Sequence, residues 1–399
     1  MPQINSARML ADLHALRQFG LYRTGVHRPT FSPQDVESRQ WLATRFAEAG
    51  LDASIDGIGN VLGFDRSPGR KLLLGSHSET QPHAGWLDGA MGVIFGLEVA
   101  RTLRQGIDVA AWADEEGHFG AFIGSRSFCG MLDEAEIDRL KYREDGTPLR
   151  AALARAGFAG RPRVAIDPAR TRGYLEAHIE QGATLEDAGL RIGVVTAIVG
   201  SHRFRIVFEG VQNHAGTTRM AVRKDAGVAL VRLASAIYDR FPVLAGERTV
   251  WTTGQITIDP GAPSIVPGGA EMLFQFRDTD PAMLARLTDE LEALVARANQ
   301  GPCRVTIAER GRSVPRAMDG GFQDAIERAA ERHTPGLHLR MPSGAGHDAQ
   351  VLAERVPAGM LFVPSIGGIS HHYAEDTKEE DLVLGCQVLA DAAADILGR

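Results

Sequence analysis

The sequence is poor in cysteine, and its three cysteines, Cys129, Cys303 and Cys386, lie far apart without forming a CxxC pair. This excludes a disulfide-rich scaffold and a thiolate zinc site, and we expect a protein of the reducing cytoplasm. Long apolar runs are also missing: no stretch reaches the roughly 18 apolar residues of a membrane-spanning helix, and the N-terminal segment lacks the apolar core of an export signal. We therefore expect neither a membrane protein nor an exported one.

An excess of positive charge is absent as well. The chain has 43 basic and 50 acidic residues, which gives a net charge of -7 at pH 7. This balance offers no footprint for nucleic acid or for an anionic membrane surface. The motifs GxSxG, HExxH, the P-loop and GxGxxG followed by a helix are absent too, so the enzyme classes that they mark find no support.

What the chain does have is enough length and apolar content for a large core. Its 399 residues, 44% hydrophobic and 23% charged, predict a globular protein of two domains, or of one domain with a large insertion. The predicted elements of the outer segments are a helix from Pro33 to Gly50, a strand over 71–76, a helix over 88–104, strands over 107–112 and 360–363, and a C-terminal helix. These elements predict an α/β domain made from both ends of the chain.

The middle of the chain has a different pattern. Its predicted elements are a strand over 204–208, a helix over 226–240, strands over 250–258 and 272–276, a helix over 284–294 and a strand over 304–307. The order βαββαβ is the ferredoxin-like pattern. We therefore predict that a smaller ferredoxin-like domain is inserted into the α/β domain.

Histidines and carboxylates gather where the predicted strands end. His77 follows the first strand, Asp88 opens the next helix, residues 114–116 (Asp-Glu-Glu) follow the second strand, and His371 follows the last. Ligands of open α/β sheets bind at the carboxyl ends of strands, and imidazoles with carboxylates suit zinc, manganese, cobalt or nickel. A single histidine is more often a structural residue than a ligand. The joint occurrence of these groups, however, predicts metal-assisted chemistry.

Short runs in the sequence are more specific. They are GSH (75–77), LDGAMGV (87–93), DEEG (114–117), HIEQG (178–182), NHAGTT (213–218), GAGHDA (344–349) and GISH (368–371). In this order they closely resemble the M20 metallopeptidase-like amidohydrolases, within them the branch of N-carbamoyl-L-amino acid hydrolases, β-ureidopropionases and allantoate amidohydrolases. The HIEQG and GAGHDA runs are specific to that branch.

The resemblance implies a fold. We expect a mixed-sheet α/β metallohydrolase catalytic domain over 1–202 and 315–399, and a ferredoxin-like βαββαβ domain over 203–314 that serves as lid and dimerisation domain. A homodimer is therefore expected.

The resemblance also implies a site with two divalent metal ions, either zinc, manganese, cobalt or nickel. In this site Asp88 bridges the two metals, His77 and His178 complete one of them, and Glu116 and His371 complete the other.

The remaining roles follow from the same resemblance. Glu115 becomes the general base, which is coherent because two cations lower the pKa of a water and polarise the scissile carbonyl while a neighbouring carboxylate moves the proton. His214 reaches the active site of the partner subunit and helps to stabilise the oxyanion. Arg277 clamps a substrate carboxylate as a planar fork, and Gln181 contacts the ureido or acyl group. His347 lies near the substrate.

The chain departs from the family pattern at several positions. Glu79 stands where an aspartate usually follows the first ligand histidine, so the carboxylate carries one extra methylene. Ser264 replaces an asparagine that helps to hold substrate, and a hydroxyl reaches less far than an amide. Arg219 stands where proline is usual, and His372 doubles the ligand histidine. These departures lie on the substrate side of the expected site.

We therefore predict a cytoplasmic, homodimeric, metal-dependent amidohydrolase. It cleaves the C–N bond of an N-carbamoyl (ureido) amino acid, or a related small molecule with a carboxylate, through a metal-activated water with Glu115 as general base. One alternative is an N-acyl amino acid hydrolase, similar to aminoacylases or dipeptidases, which Ser264 and Arg219 favour. A non-catalytic binding protein on this fold is a further alternative, against which the full set of ligands argues.

Overall fold

The computed structural model describes residues 2–398, so that Met1 and Arg399 lie outside the described residues. The chain divides into two compact units, of which the first comprises Met1–Thr196 and Ala317–Arg399 and the second Ala197–Arg316. From the sequence we placed the boundaries at 202/203 and 314/315. The catalytic role of the outer domain and the lid and dimerisation role of the inserted one stay predictions.

Strands and helices alternate through most of the chain. The strands are β1 (Leu21–Tyr22), β2 (Gly25–Val26), β3 (Asp52–Ile55), β4 (Val61–Phe64), β5 (Lys71–His77), β6 (Ile107–Trp112), β7 (Thr171–Ile179), β8 (Ile192–Ile198), β9 (Gly200–Glu209), β10 (Asn213–His214), β11 (Val250–Asp259), β12 (Ile265–Val266), β13 (Gly269–Asp278), β14 (Arg304–Ser313), β15 (Arg316–Ala317), β16 (His338–Ser343) and β17 (Ala358–Val363). The helices are α1 (Ser6–Arg17), α2 (Pro33–Glu48), α3 (Ala90–Leu103), α4 (Ile123–Phe128), α5 (Glu134–Arg139), α6 (Leu149–Arg155), α7 (Thr184–Asp187), α8 (Ala226–Leu244), α9 (Pro281–Ala298), α10 (Gly320–His333), α11 (Asp348–Leu352) and α12 (Glu379–Leu397). Within residues 2–398, no helix is both long and apolar enough to cross a membrane.

The first unit is built on a mixed β-sheet, as predicted. The strand order is β15-β8-β17-β7-β5-β6-β4-β3, with β16 paired to β8. Strands β17, β7, β5 and β6 run parallel to their neighbours in this group, whereas β3, β4 and β8 pair antiparallel. Because the four central strands are parallel, their carboxyl ends meet at one edge of the sheet.

The central strands are apolar because they are buried on both faces. Every residue of β5, β6 and β17 is buried. In helix α3, residues Ala90–Ala100 are all buried, and eight of these eleven belong to the hydrophobic core. This helix begins two residues later than predicted, because Gly89 takes a positive φ of 66° and leaves Asp88 in the turn before the helix.

Strand β7 was not predicted from the sequence. It carries Glu176 and His178 inside an otherwise apolar run, and both are buried. Two ionisable groups in six residues disguise the pattern of a buried strand. Of the two, His178 belongs to the candidate site.

The second unit has the predicted βαββαβ order, β9-α8-β11-β13-α9-β14. Its four-stranded antiparallel sheet has the strand order β11-β13-β9-β14. Alternate residues of β13 are buried against α8 and α9, namely Ala270, Met272, Phe274 and Phe276. The two short strands β10 and β12 form a separate ribbon.

Candidate metal centre

Ionisable side chains converge at the carboxyl edge of the central parallel strands. His77 is the last residue of β5, and His178 is the last but one of β7. Glu115 and Glu116 follow β6, and His371 lies in the loop that follows β17. Asp88 joins them from the turn before α3. Three groups of these side chains lie close enough to hold a metal ion, namely His77 with Asp88 and His178, His77 with Glu115 and Glu116, and Asp88 with Glu116 and His371.

Asp88 is at the centre of these groups and is 2% exposed. Its Oδ1 lies 3.1 Å from Nε2 of His178 and 3.5 Å from Nε2 of His77. Its Oδ2 lies 3.2 Å from Nε2 of His371, which in turn is 3.7 Å from Oε2 of Glu116. The two oxygens of Asp88 therefore face two different sets of imidazoles, as in a carboxylate that bridges two cations.

The main chain sets the orientation of two of the imidazoles. Nδ1 of His77 lies 3.1 Å from the carbonyl oxygen of Glu79, and Nδ1 of His178 lies 2.9 Å from that of Ile179. A carbonyl oxygen only accepts hydrogen bonds, so each ring, when neutral, keeps its proton on Nδ1. Nε2 of each ring then carries the lone pair that a metal ligand needs and lies close to Asp88, and Nε2 of His178 accepts the N–H of Gly89 at 3.2 Å.

The carboxylates attract positive charge into the cluster. Burial opposes protonation of His77, but the neighbouring Glu115, Asp88 and Glu79 outweigh it and hold the pKa of His77 well above its ordinary value. The hydrogen bond with Asp88 raises the pKa of His371 to about 9. Burial alone would raise the pKa of Asp88, but hydrogen bonds with the imidazoles hold it well below its ordinary value. Bound cations would take over the role that these imidazolium charges fill.

Two further observations fit a metal. Oε1 of Glu116 is buried and has no hydrogen-bond partner within residues 2–398, and a buried carboxylate oxygen in that state is stabilised by a cation. At Gly89, a Cβ atom would lie 2.4 Å from Cδ2 and Nε2 of His77. A larger residue there would displace the imidazole, so the glycine keeps the ligand in its place.

Glu115 lies beside His77 on a constrained turn. Asp114 has a positive φ of 57°, and its carboxylate accepts hydrogen bonds from the hydroxyl of Thr30 (2.7 Å) and the N–H groups of His118 (2.8 Å) and Phe119 (2.9 Å). Oε2 of Glu115 is 3.8 Å from Nε2 of His77. Burial raises the pKa of Glu115 well above its ordinary value, helped by nearby carboxylates. Such a group is suited to accept a proton.

Gln181 and His347 border the ligands in the same unit. Nε2 of Gln181 donates to Oδ2 of Asp88 (3.2 Å) and to Oγ of Ser370 (3.1 Å). The ring of His347 stands edge-on to that of His178 with 4.5 Å between centroids, and burial holds the pKa of His347 well below its ordinary value. Both side chains therefore lie against the groups of the candidate metal cluster.

Of the two adjacent histidines in the loop after β17, only one contacts Asp88. That residue is His371. Nδ1 of His372 instead accepts a hydrogen bond from the N–H of Ala374 (3.2 Å), and its ring packs on Tyr373. The geometry thus separates the two histidines that the sequence left as alternatives.

The other predicted substrate residues, His214, Ser264 and Arg277, belong to the second unit. Nδ1 of His214 accepts hydrogen bonds from the N–H groups of Gly216 (3.0 Å) and Thr217 (3.1 Å), so the neutral ring carries its proton on Nε2 as a donor. Both His214 and Ser264 are exposed on the ribbon of β10 and β12. Arg277 is half-buried on β13, where burial lowers the pKa of its guanidinium.

Two residues that hold the ligands escaped the sequence analysis. Nε2 of Gln81 donates to Oε2 of Glu116 at 2.7 Å. Oε1 of Glu375 accepts from the N–H of Asp88 at 3.0 Å, which fixes the turn that carries the central carboxylate. Gln81 lies in the loop directly after β5, so its position at a strand end was an available clue. Glu375 lies in an irregular loop without any periodic pattern to single it out.

The mixed sheet with imidazoles and carboxylates at its strand ends is the framework of a metallohydrolase. The sequence model of the peptidase family M20/M25/M40 matches residues 73–395, and the chain belongs to this family. This confirms the family predicted from the sequence runs.

Relatives of known name match the chain over nearly its whole length. It is 31% identical over 404 residues to the N-carbamoyl-L-amino-acid amidohydrolase of Paenarthrobacter aurescens, covering 98% of this chain and 97% of the relative. It is 32% identical over 380 residues to the allantoate amidohydrolase of Escherichia coli strain K12, covering 92% of each. The crystal structure of an amidase of the hydantoinase/carbamoylase family from Burkholderia phymatum is similar, with a TM-score of 0.92, 49% identity and coverage of 100% of this chain and 99% of that one.

Proposed function

We propose that the protein is a metal-dependent amidohydrolase that cleaves the C–N bond of an N-carbamoyl (ureido) amino acid or a related compound. The observation that carries the proposal is the position of Asp88, whose two oxygens face separate imidazole groups beside Glu115. The names of the relatives, which are amidohydrolases of N-carbamoyl amino acids and of allantoate, support the substrate class. An N-acyl amino acid hydrolase is not favoured by them.

Two groups of residues would hold the two divalent cations. His77, Asp88 and His178 would hold one, and Asp88, Glu116 and His371 the other, with zinc, manganese, cobalt or nickel as candidates. When bound, the cations would polarise the scissile carbonyl and lower the pKa of the attacking water.

Glu115 would act as the general base. Its carboxylate is buried close to His77 and binds neither metal in this proposal. It can therefore take a proton from the attacking water and pass it to the leaving nitrogen. Burial raises the pKa of Glu115, and this direction supports the role because a carboxylate with a raised pKa accepts a proton more readily.

The substrate would be held by residues of both units. Gln181 would contact the carbamoyl group with its amide, and His347 would line the site close to His178. His214 of the partner subunit would donate its Nε2–H to the developing oxyanion, which its fixed tautomer supports. Arg277 would clamp the substrate carboxylate, and Ser264 would lie near His214 on the ribbon.

A homodimer formed through the second unit is part of the proposal. Strand β11 is the edge of the four-stranded sheet, and it exposes Ile256 (50% exposed) and Ile258 (39%). The neighbouring helix α8 exposes Val231 (61%) and Tyr238 (47%). An apolar, unpaired edge strand is a surface that a second copy of the chain can cover. The three buried free cysteines support a reducing, cytoplasmic location.

Product analysis tests the proposed reaction. Protein loaded with manganese, cobalt, nickel or zinc is offered N-carbamoyl, N-formyl and N-acyl amino acids and allantoate, and ammonia and free amine are measured. Ammonia released in step with amine from the N-carbamoyl compounds is the expected result. Amine from N-acyl compounds without ammonia would make the protein an acylase, and tight ligand binding without turnover would make it a binding protein.

A further inference from the structure

Glu79, two residues after the ligand His77, does not use its carboxylate to orient that histidine. Nδ1 of His77 is hydrogen-bonded to the main-chain oxygen of Glu79 at 3.1 Å, whereas the nearest carboxylate oxygen, Oε1, is 3.9 Å away. Oε1 instead accepts the N–H of Glu115 at 2.6 Å. The carboxylate therefore contacts the main chain of the proposed base, and the main-chain oxygen of Glu79, not its carboxylate, is hydrogen-bonded to the ligand ring.

The other carboxylate oxygen of Glu79 is held by Arg39. Nη2 of Arg39 donates to Oε2 of Glu79 at 2.7 Å, and both side chains are fully buried. Nε of the same guanidinium donates to Oδ2 of Asp35 at 2.8 Å. Because a guanidinium is a rigid planar fork, these two contacts fix the position of the Glu79 carboxylate.

Arg39 is also hydrogen-bonded to the main chain of two other segments. It belongs to α2, and its Nη1 donates to the carbonyl oxygens of Gly59 (3.0 Å) and Trp112 (3.2 Å). Trp112 is the last residue of β6, three residues before Glu115. The arginine thus connects the helix, the end of the strand and the carboxylate that accepts the N–H of Glu115.

The length of the Glu79 side chain makes this arrangement possible. An aspartate would be shorter by one carbon–carbon bond, about 1.5 Å, and its carboxylate could not keep both hydrogen bonds at their present lengths. The extra methylene therefore has a positive role at this position, because it carries the carboxylate beyond His77 to the main chain of Glu115.

We propose that Glu79, held by Arg39, is a positioning residue for the base Glu115 and not for the metal ligand His77. The proposal rests on the proposed function, in which Glu115 is the base. It separates two properties that a carboxylate next to a ligand histidine would otherwise affect together, the affinity for metal and the rate of turnover.

The test uses Glu79→Asp in the full-length protein. We expect kcat to fall about 10- to 100-fold, as for other outer residues that orient a site. The affinity of the metal-free protein for manganese and for zinc, measured by titration, is expected to stay within about twofold of the original, and KM to change little. A fall in metal affinity that parallels the fall in kcat would show that Glu79 orients His77. An unchanged kcat would also overturn the proposal.

A second variant separates length from charge. Glu79→Gln keeps an oxygen that can accept the N–H of Glu115 but weakens the contact with Arg39. We expect a smaller loss of kcat than with Glu79→Asp, because the hydrogen bond to Glu115 is kept. A larger loss of kcat in Glu79→Gln than in Glu79→Asp would mean that the charge of the Glu79 carboxylate is required, and not the length of its side chain.

Glu98 on α3 offers a matched control. Its buried carboxylate accepts Nε–H of Arg8 (2.8 Å) on one oxygen, and Nη2–H of Arg8 (2.8 Å) and the N–H of Asn5 (2.7 Å) on the other. Like Glu79, it therefore joins an arginine to a main-chain N–H. Glu98→Asp is expected to lower the thermal midpoint as Glu79→Asp does, with kcat unchanged. If kcat falls equally in both variants, loss of stability explains the effect and the proposal is wrong.

Hydrogen exchange gives a measurement that does not need turnover. The peptide that contains Glu115 is followed by mass spectrometry in metal-free protein, where Glu79→Asp is expected to speed its exchange and Glu98→Asp is not. Unchanged exchange of this peptide in Glu79→Asp would overturn the positioning role of Glu79, even if the protein hydrolysed none of the substrates offered. If Glu79→Asp speeds the exchange but Glu115→Gln leaves the protein fully active, Glu79 positions this segment and Glu115 is not the base.

Discussion

The two units of the chain hold their predicted functional residues in opposite ways. In the first unit, His77 and His178 end strands that are buried on both faces, and the main chain orients each ring. In the second unit, His214 and Ser264 lie exposed on a ribbon of two short strands, and hydrogen bonds from Gly216 and Thr217, two and three residues along the chain, orient the imidazole. The candidate metal ligands His77 and His178 thus lie at the ends of buried strands, whereas the predicted substrate residues His214 and Ser264 lie on an exposed ribbon.

This difference predicts how changes in the two units will separate. Substitutions in the first unit should alter the metal content or the proton transfer, because these groups share contacts with Asp88. Substitutions in the second unit should alter substrate turnover while leaving the metals in place. A substitution in the second unit that lowers the metal content would contradict this separation.

The largest effect is expected from Asp88→Asn. The amide keeps the size of the side chain but removes the charge that both ligand groups share, so both divalent cations should be lost together with turnover. Metal analysis of the purified variant checks this. Asp108→Asn is the matched control, since Asp108 is a buried carboxylate on β6 that accepts the N–H of Asp65 (2.8 Å). Full metal content in Asp88→Asn would refute the bridging role.

Glu115→Gln should abolish most turnover without loss of metal. Removing a general base costs about 10²- to 10⁴-fold in rate, and the amide leaves the ligand groups around Asp88 intact. Rate and metal content are measured on the same sample. Glu116→Gln serves for comparison, because it should lose metal as well as activity. Loss of metal in Glu115→Gln would make Glu115 a ligand instead.

A smaller effect is expected from His214→Ala in the second unit. Loss of one oxyanion donor costs about 10²- to 10³-fold in kcat, and the metal content should not change. Mixing this variant with Arg277→Ala tests the dimer. If His214 and Arg277 act on one substrate from different subunits, mixed dimers regain about one intact site while neither variant alone recovers. No recovery on mixing would place both residues on one subunit.

The sequence predicted the elements whose patterns depend on burial alone. The apolar residues 72–74 of β5 and 109–112 of β6 and the alternation along β13 were recognised because each pattern follows directly from the faces that the sheet buries. Strand β7 was missed because its ionisable residues, Glu176 and His178, interrupt the apolar run. A buried strand that carries ionisable groups is therefore difficult to recognise from its apolar pattern.

Contacts between distant parts of the chain could not be predicted. Arg39 and Glu79 are 40 residues apart, and no spacing in the sequence relates them. The sequence indicated only that Glu79 carries one methylene more than expected. Its direction, towards the main chain of Glu115, depends on where α2 and β6 place Arg39, and so on the tertiary structure.

The smallest effect is expected from Ser264→Asn, which introduces the side chain that the family resemblance implies at this position. The main chain holds the ribbon there, since the carbonyl oxygen of Ser264 accepts the N–H of Ala215 at 2.9 Å, so the thermal midpoint should not change. An amide reaches further and donates two hydrogen bonds. One added hydrogen bond of about 1 kcal/mol would lower KM for an N-carbamoyl amino acid about fivefold, with kcat nearly constant. A rise in KM would mean that the pocket is shaped for a different substrate, and that the serine selects it.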